Sequence, residues 1–431
     1  MPGPDDLLDR IAALVLYRGV LADEAGNLYQ QLLRGIVRNP LDRLSLTDLF
    51  SRLVRRLLLD RRLPLGIDPW AYHLADRVFF DENPFSLEAE ARPWGEIPAA
   101  LRRQAEAELS LLGEVAGFGL GRLAELLGVG RALAEGFGGS TPHDEDLRGR
   151  LARSADWADF LPELAEHYVR NGVGPFGRYR AFRWQRREGR GQLVPVACPD
   201  PVRLSDLVGY GPQKAAVIAN TERLLAGLPA QNVLLYGDRG TGKSSLVKAL
   251  VNEFGDRGLR LIELGRDELR DYPEVLAVVR GRPQKFILMV DDLSFEEHET
   301  YYKELKSVLE GGLEVRPDNV VVYATSNRRH LVREYFSDRD GAVDGEVHRR
   351  DTMEEKLSLS DRFGLRVVFV APDQERYLAI VRAVARQHGI AVDAALERQA
   401  LAWAGRHNGL SGRTARQFVV SLLGRARDAV P

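Results

Sequence analysis

Cys198 is the only cysteine in 431 residues. A lone thiol can form neither an internal disulfide nor a Cys-rich zinc site, so a reduced, cytoplasmic protein is expected. Long apolar runs are missing as well. The run from Ile11 to Tyr17 stops at Arg18, far short of the ~20 residues a membrane span needs. The opening Met1-Pro2-Gly3-Pro4-Asp5-Asp6 is acidic where a secretion signal would be basic. There is no excess of one charge: 60 Lys and Arg stand against 62 Asp and Glu, a formal net charge of −2. No global field therefore draws the chain to nucleic acid or to an anionic membrane. The guanine-reading pattern Asn-Lys-x-Asp is also absent, which disfavours a GTPase.

What is present is ordinary globular material, 45% hydrophobic and 28% charged, long enough for two to three domains of ~150 residues. Residues 1–200 read as mostly helical, with Leu and Ala at helical spacing over 44–59, 99–112 and 120–134. From about 201 the pattern changes. Short apolar or β-branched runs at 233–236, 259–264, 286–290 and 320–324 alternate with helical stretches, which predicts a parallel sheet with crossover helices. After Pro372 the pattern is helical to the end. The expected plan is a helical region over 1–200 that would recognise a client, an α/β nucleotide domain over 201–370 and a helical lid over 371–431.

Gly237-Asp238-Arg239-Gly240-Thr241-Gly242-Lys243-Ser244 fits G-x-x-x-x-G-K-[ST] without a mismatch. Glycines let such a loop wrap closely, so that its backbone N–H groups face phosphate oxygens. Lys243 supplies a point charge for the β- and γ-phosphates, and the Ser244 hydroxyl a ligand for Mg²⁺. The helix that follows, with Ser245 in its first turn, adds the partial positive charge of its N-terminus. ATP and Mg²⁺ are the expected ligands. The apolar strand 286–290 ends in Asp291-Asp292. Asp291 is assigned to the metal, and Asp292 to orienting or deprotonating the attacking water. Glu296 and Glu297 are weaker candidates for that role and fit better the first turn of a helix running through 301–309.

Together these residues resemble the AAA+ ATPase superfamily, over roughly the second half of the chain. Leu204-Ser205-Asp206-Leu207-Val208-Gly209-Tyr210 looks like the segment that packs on adenine, which implies a base site at Val208, Gly209 and Tyr210. Ala324-Thr325-Ser326-Asn327 looks like sensor 1, so Asn327 would position the lytic water. Ser360-Asp361-Arg362-Phe363 looks like the arginine-finger segment, and Ser411-Gly412-Arg413-Thr414-Ala415-Arg416 like sensor 2. Arg413 is preferred over Arg416, which shares its helix face. More narrowly, 237–310 resembles an uncharacterised bacterial family of AAA+ ATPases with a helical N-terminal region. Asp-Asp at Walker B departs from the common Asp-Glu; its shorter reach bears on turnover more than on binding. An arginine finger implies a homo-oligomer.

Arg178–Arg190 interleaves arginines with Tyr179, Phe182 and Trp184. Such a stretch could hold single-stranded nucleic acid by phosphate contact and stacking. The favoured reading is a hairpin before the 195–201 linker, with aromatics in a core and arginines in solvent. Residues 337–350 read as a polar loop. The functional expectation is an ATPase that drives a conformational change in a protein client. The alternatives are a nucleic-acid-associated loader or initiator, and an ATP-gated scaffold with slow turnover.

Overall fold

A computed structural model describes residues 3–59, 63–64, 66–129, 146–293, 316–327, 362–407 and 409–428. Glu296 and Glu297, the helix expected through 301–309, and the 337–350 loop lie outside the described residues. The chain divides into two compact units, Met1–Arg178 and Tyr179–Pro431. Among the described residues no helix is long and apolar enough to cross a membrane.

Among the described residues the first unit is helical, as its Leu and Ala spacing predicts. Its longer helices, including Glu24–Arg38, Arg43–Leu58, Pro69–Phe79 and Ala99–Gly117, pack around Tyr29, Leu32, Leu53, Trp70, Leu74, Leu109 and Leu112. Carboxylates start several of these helices. Asp23, Asp42 and Asp146 each accept an N–H from the first turn they precede. Asp68 serves two helices at once. One carboxylate oxygen accepts from Trp70 N at 2.8 Å and Ala71 N at 3.3 Å, and the other from Leu120 N at 2.9 Å. The Leu120–Leu127 helix thereby starts against the Pro69–Phe79 helix.

The second unit is built on a seven-stranded sheet: β1 Ala181–Arg187, β2 Arg190–Pro195, β3 Val233–Gly237, β4 Leu259–Leu264, β5 Lys285–Val290, β6 Val320–Ser326 and β7 Leu365–Phe369. The strand order is β2-β1-β4-β5-β6-β3-β7. Among the described residues only the β1–β2 pair is antiparallel; the other pairings are parallel. Parallel strands are covered on both faces and so read as continuous apolar runs, as β3, β5 and β6 do. The helix Lys243–Phe254 lays Leu246, Val247 and Leu250 on Val233, Leu235, Ile287 and Met289. Three helices, Gln374–Gln387, Ala394–Arg406 and Gly412–Asp428, follow the sheet. They enclose a separate small core that includes Tyr377, Val381, Ala400, Phe418 and Val419.

The structure moves one expected boundary. Residues 181–195, placed in the helical region 1–200, belong to the sheet, and the units part at Arg178 and Tyr179. The expected hairpin does form, turning at Glu188 and Gly189 with positive φ at both. It is not a free appendage, because β1 pairs in register with β4 through Ala181↔Leu261 and Phe182↔Ile262. Phe182 and Trp184 are buried, while Arg183, Arg186 and Arg187 face outward. The Trp184 indole N–H donates to buried Asp271 at 3.0 Å.

Asp68→Ala removes the cap of two helices, and a loss of about 2–3 kcal/mol is expected from the unfolding of the first unit in urea. Asp68→Asn, which keeps an acceptor oxygen, should lose less. A wild-type midpoint for Asp68→Ala would show that neither cap matters.

Candidate nucleotide site

Parallel pairing brings the ends of three strands to one edge. Tyr236 of β3 is paired with Ser326 of β6, and Val290 of β5 with Ala324. The residues just past these pairs are therefore neighbours: the 237–244 loop, Asp291-Asp292 and Asn327. A ligand site at the carboxyl ends of the strands is expected in open α/β sheets.

The loop needs its glycines. Gly237 has φ +126, and a Cβ there would meet the Phe369 carbonyl oxygen at 2.1 Å. Gly240 and Gly242 also have positive φ. The Thr241 hydroxyl closes the loop on Asp238 O at 2.9 Å. Lys243, with only 4% of its surface exposed, donates to Gly237 O at 3.0 Å and Asp238 O at 2.7 Å. Burial pushes Lys243 down to about 8, against the opposing pull of Asp238, Asp291 and Asp292. Its charged form therefore opposes folding at pH below about 8, and that opposition fades as pH rises toward the ordinary lysine value.

Ser244 Oγ donates to Asp291 Oδ1 at 2.6 Å. The Thr325 hydroxyl donates to the same oxygen at 2.5 Å and accepts from Asp292 N at 2.9 Å. Asp292 lies in the left-handed region, φ +53, which Asp tolerates better than most residues. Its carboxylate accepts from Asn327 Nδ2 at 2.5 Å and pairs with Arg266 at 3.6 Å; Arg266 also donates to its backbone carbonyl. Among the described residues no group of three or more His, Cys, Asp or Glu could hold a metal. Ser244 and Asp291 instead present two adjacent hard oxygens. That fits Mg²⁺, which takes one or two protein oxygens and completes its shell with phosphate and water.

Many of these residues, though not Gly237, Asp238, Arg239, Thr325 or Arg266, line a cleft of about 570 Å³. Of the expected site, the cleft contains Val208, Gly209, Tyr210, Gly240, Thr241, Gly242, Lys243, Ser244, Ser245, Asp291, Asp292, Asn327 and Arg413. Arg416 lines it too, so both sensor 2 candidates reach the same space. Arg362 does not line it. The cleft's far wall is lid: Ile380, Val384 and Gly412, with Gly412 N donating to Gly240 O at 2.9 Å. The sequence reading missed Thr325, although a hydroxyl two residues before Asn327 was open to inspection. It missed Arg266 for want of any local signal.

A model of the family described as "Protein of unknown function (DUF815)" matches residues 177–426. The chain belongs to that family. The match takes in the whole sheet and most of the lid of this DUF815 protein, with the hairpin β1–β2 included. Its motifs and mostly parallel sheet resemble those of AAA+ proteins, and its N-terminal region is helical among the described residues. Human fidgetin-like protein 2 is 27% identical over 202 residues, 39% of this chain and 30% of that protein. The replication factor C large subunit of Staphylothermus marinus is 32% identical over 81 residues, 19% of this chain and 18% of its own. The chain thus spans less than a third of either curated relative. Among solved structures, the Thermotoga maritima RuvB Holliday junction branch migration motor aligns over 53% of this chain and 65% of its own. That alignment has 16% identity and a TM-score of 0.37. The FIGL-1 AAA domain in complex with ADP aligns over 54% and 76%, at 16% identity and a TM-score of 0.35.

With a protonated Lys243 as the phosphate's partner, affinity for a triphosphate is expected to fall by about tenfold between pH 7 and pH 9. Calorimetric titration with ATP at the two pH values measures this. An unchanged affinity would show that Lys243 is not the phosphate's partner.

Proposed function

We propose that this protein binds ATP with Mg²⁺ in the cleft and hydrolyses it, coupling nucleotide state to the conformation of a client protein. The observation that carries the reading is the contact between Ser244 Oγ and Asp291 Oδ1 at 2.6 Å, beside Lys243. It joins the phosphate loop to the end of β5 and sets two metal ligands side by side.

The roles follow from position. Backbone N–H groups of the loop from Arg239 through Ser245 cradle phosphates at the N-terminus of the Lys243–Phe254 helix, while Gly237 and Asp238 form the base of the loop, where Asp238 N is held by Phe369 O. Lys243 turns from the carbonyls of Gly237 and Asp238 to the β- and γ-phosphates. Mg²⁺, held by Ser244 and Asp291, would neutralise charge that develops on the transferred phosphoryl group. Asp292 and Asn327, already hydrogen-bonded to each other, orient the attacking water. Arg413 reaches the phosphates from the lid, and Val208, Gly209 and Tyr210 form the base end of the cleft. Arg362, outside its own chain's cleft, acts as an arginine finger on a neighbouring copy in a homo-oligomer. The 1–178 unit is the client-binding part. The cytoplasm suits the single, exposed Cys198.

A second reading, an ATP-gated scaffold with slow turnover, draws on Asp292. Its side chain is one methylene shorter than glutamate, and its carboxylate is already engaged by Asn327 and Arg266. A nucleic-acid role is not supported by the arginine stretch, because acids occupy much of it. Arg180 pairs with Asp256, Arg183 with Glu263, and Arg186 with Asp271 and Glu274.

Steady-state turnover and ATP affinity test the main reading. Lys243→Ala is expected to lose tight ATP binding, and Asp292→Asn to bind ATP without turning it over. Wild-type behaviour in both variants would overturn the assignment. If wild type binds ATP tightly but turns over no faster than Asp292→Asn, the scaffold reading takes its place.

The shared-site reading is tested by specific activity across protein concentration. Activity should rise with concentration, and Arg362→Ala should abolish turnover while keeping ATP bound. Activity independent of both would remove the finger and the oligomer together.

A further inference from the structure

The sheet and the lid are joined by a very short connection. β7 ends at Phe369, and Asp373 caps the first lid helix by accepting from Arg376 N at 2.8 Å. Three residues lie between, Val370, Ala371 and Pro372. Proline fixes its own φ and holds the residue before it in the extended region. Backbone freedom therefore concentrates at Val370. A rotation of the lid on the sheet through Val370 turns the peptide plane between Val370 and Ala371.

That single peptide is held at both of its polar ends. Its carbonyl, on Val370, accepts from the Tyr210 hydroxyl at 2.7 Å. Its N–H, on Ala371, donates to Asp238 Oδ2 at 2.5 Å. The two partners come from different segments, and of the two Tyr210 lines the cleft. Tyr210 ends the segment at the base end, and Asp238 is the second residue of the phosphate loop. Neither is loosely placed. The Tyr210 ring packs on Phe369 at 5.1 Å between centroids, and the Arg376 guanidinium lies over it at 4.9 Å. Asp238 N donates to Phe369 O at 2.8 Å. A hydrogen bond from an N–H to a carboxylate is about twice as strong as a neutral one, so the Asp238 arm is the stronger of the two.

We infer that Tyr210 and Asp238 are positioning residues that together clamp the Val370–Ala371 peptide and so set the lid angle. A route from the phosphates to this clamp runs through Lys243, whose ammonium rests on the Asp238 carbonyl at 2.7 Å. When Lys243 leaves that carbonyl for a phosphate, Asp238 loses a partner on one side and its hold on Ala371 changes. A base contacting the 208–210 segment acts on the other end of the same peptide through Tyr210. The trigger rests on the ATP-binding reading above; the clamp rests on the two hydrogen bonds to the Val370–Ala371 peptide alone.

The two are tested separately in the full chain with Cys198→Ser, carrying spin labels at the exposed positions Ala219→Cys on the sheet side and Gln399→Cys on the lid. Without nucleotide, the distance distribution between labels should be about twofold broader in Tyr210→Phe and in Asp238→Ala than in the parent. Asp238→Asn keeps an oxygen that accepts from Ala371 N–H and should restore the parent's width. Equal widths in all four proteins, or the same broadening in Asp238→Asn as in Asp238→Ala, would overturn the clamp. With ATPγS and Mg²⁺ the parent's mean distance should shift, and the shift should be lost in Tyr210→Phe and Asp238→Ala. A full shift in both variants would also overturn it. If calorimetry shows no ATPγS binding to the parent, the ATP reading and the trigger fail together, while the nucleotide-free widths still decide the clamp.

Discussion

The register of the parallel ladders from β5 to β6 and from β6 to β3 is the constraint on which the site depends. Each pairing is a line of backbone hydrogen bonds between buried strands, and slipping one by a residue would turn its side chains to the opposite face. In the observed register, Leu235 lies beside Thr325, Tyr236 beside Ser326, and Val290 beside Ala324. The three strands therefore run out together. The glycine loop, the two aspartates and Asn327 meet where the apolar layer ends and polar groups can be satisfied. Thr325 ties this junction together by donating to Asp291 and accepting from Asp292 N.

Electrostatics at that edge depend on burial. Lys243 is taken out of water by the same packing that positions it, which lowers its pKa even though three carboxylates stand nearby. It holds two carbonyls of its own loop. Asp292 is likewise engaged, by Asn327 and Arg266. Lys243 and Asp292 are thus satisfied polar groups, each with a partner to exchange. Such an arrangement avoids the penalty of unpaired buried groups and gives both side chains partners within the same edge of the sheet. The lid takes part directly, through Gly412 on Gly240 and through Ala371 on Asp238.

Charge that looks conspicuous along the chain is less so in space. The arginines of 178–190 form a dense run in sequence, yet strand alternation and the neighbouring elements carry most of them to carboxylates. Arg178 pairs with Asp76 within the first unit, and Arg183 and Arg186 pair with acids of the second. Phe182 and Trp184 between them fill the interior because β1 extends the sheet beside β4.

The sequence by itself determined the local chemistry. The phosphate loop, the strand ending in Asp291-Asp292, the alternation of strands with helices and the helical ends were all legible, because each depends on residues close together in the chain. What it left open needed contacts between distant segments. The membership of 181–195 in the sheet rests on pairing with residues some eighty positions away, and no local pattern separates such a strand from a free hairpin. The partnership of Arg266 with Asp292 and the presence of both Arg413 and Arg416 in one cleft are likewise products of strand order and lid packing. So is the grip of Tyr210 and Asp238 on one peptide bond. Local propensity selects elements; only the register and packing of those elements decide which polar groups come within hydrogen-bonding distance.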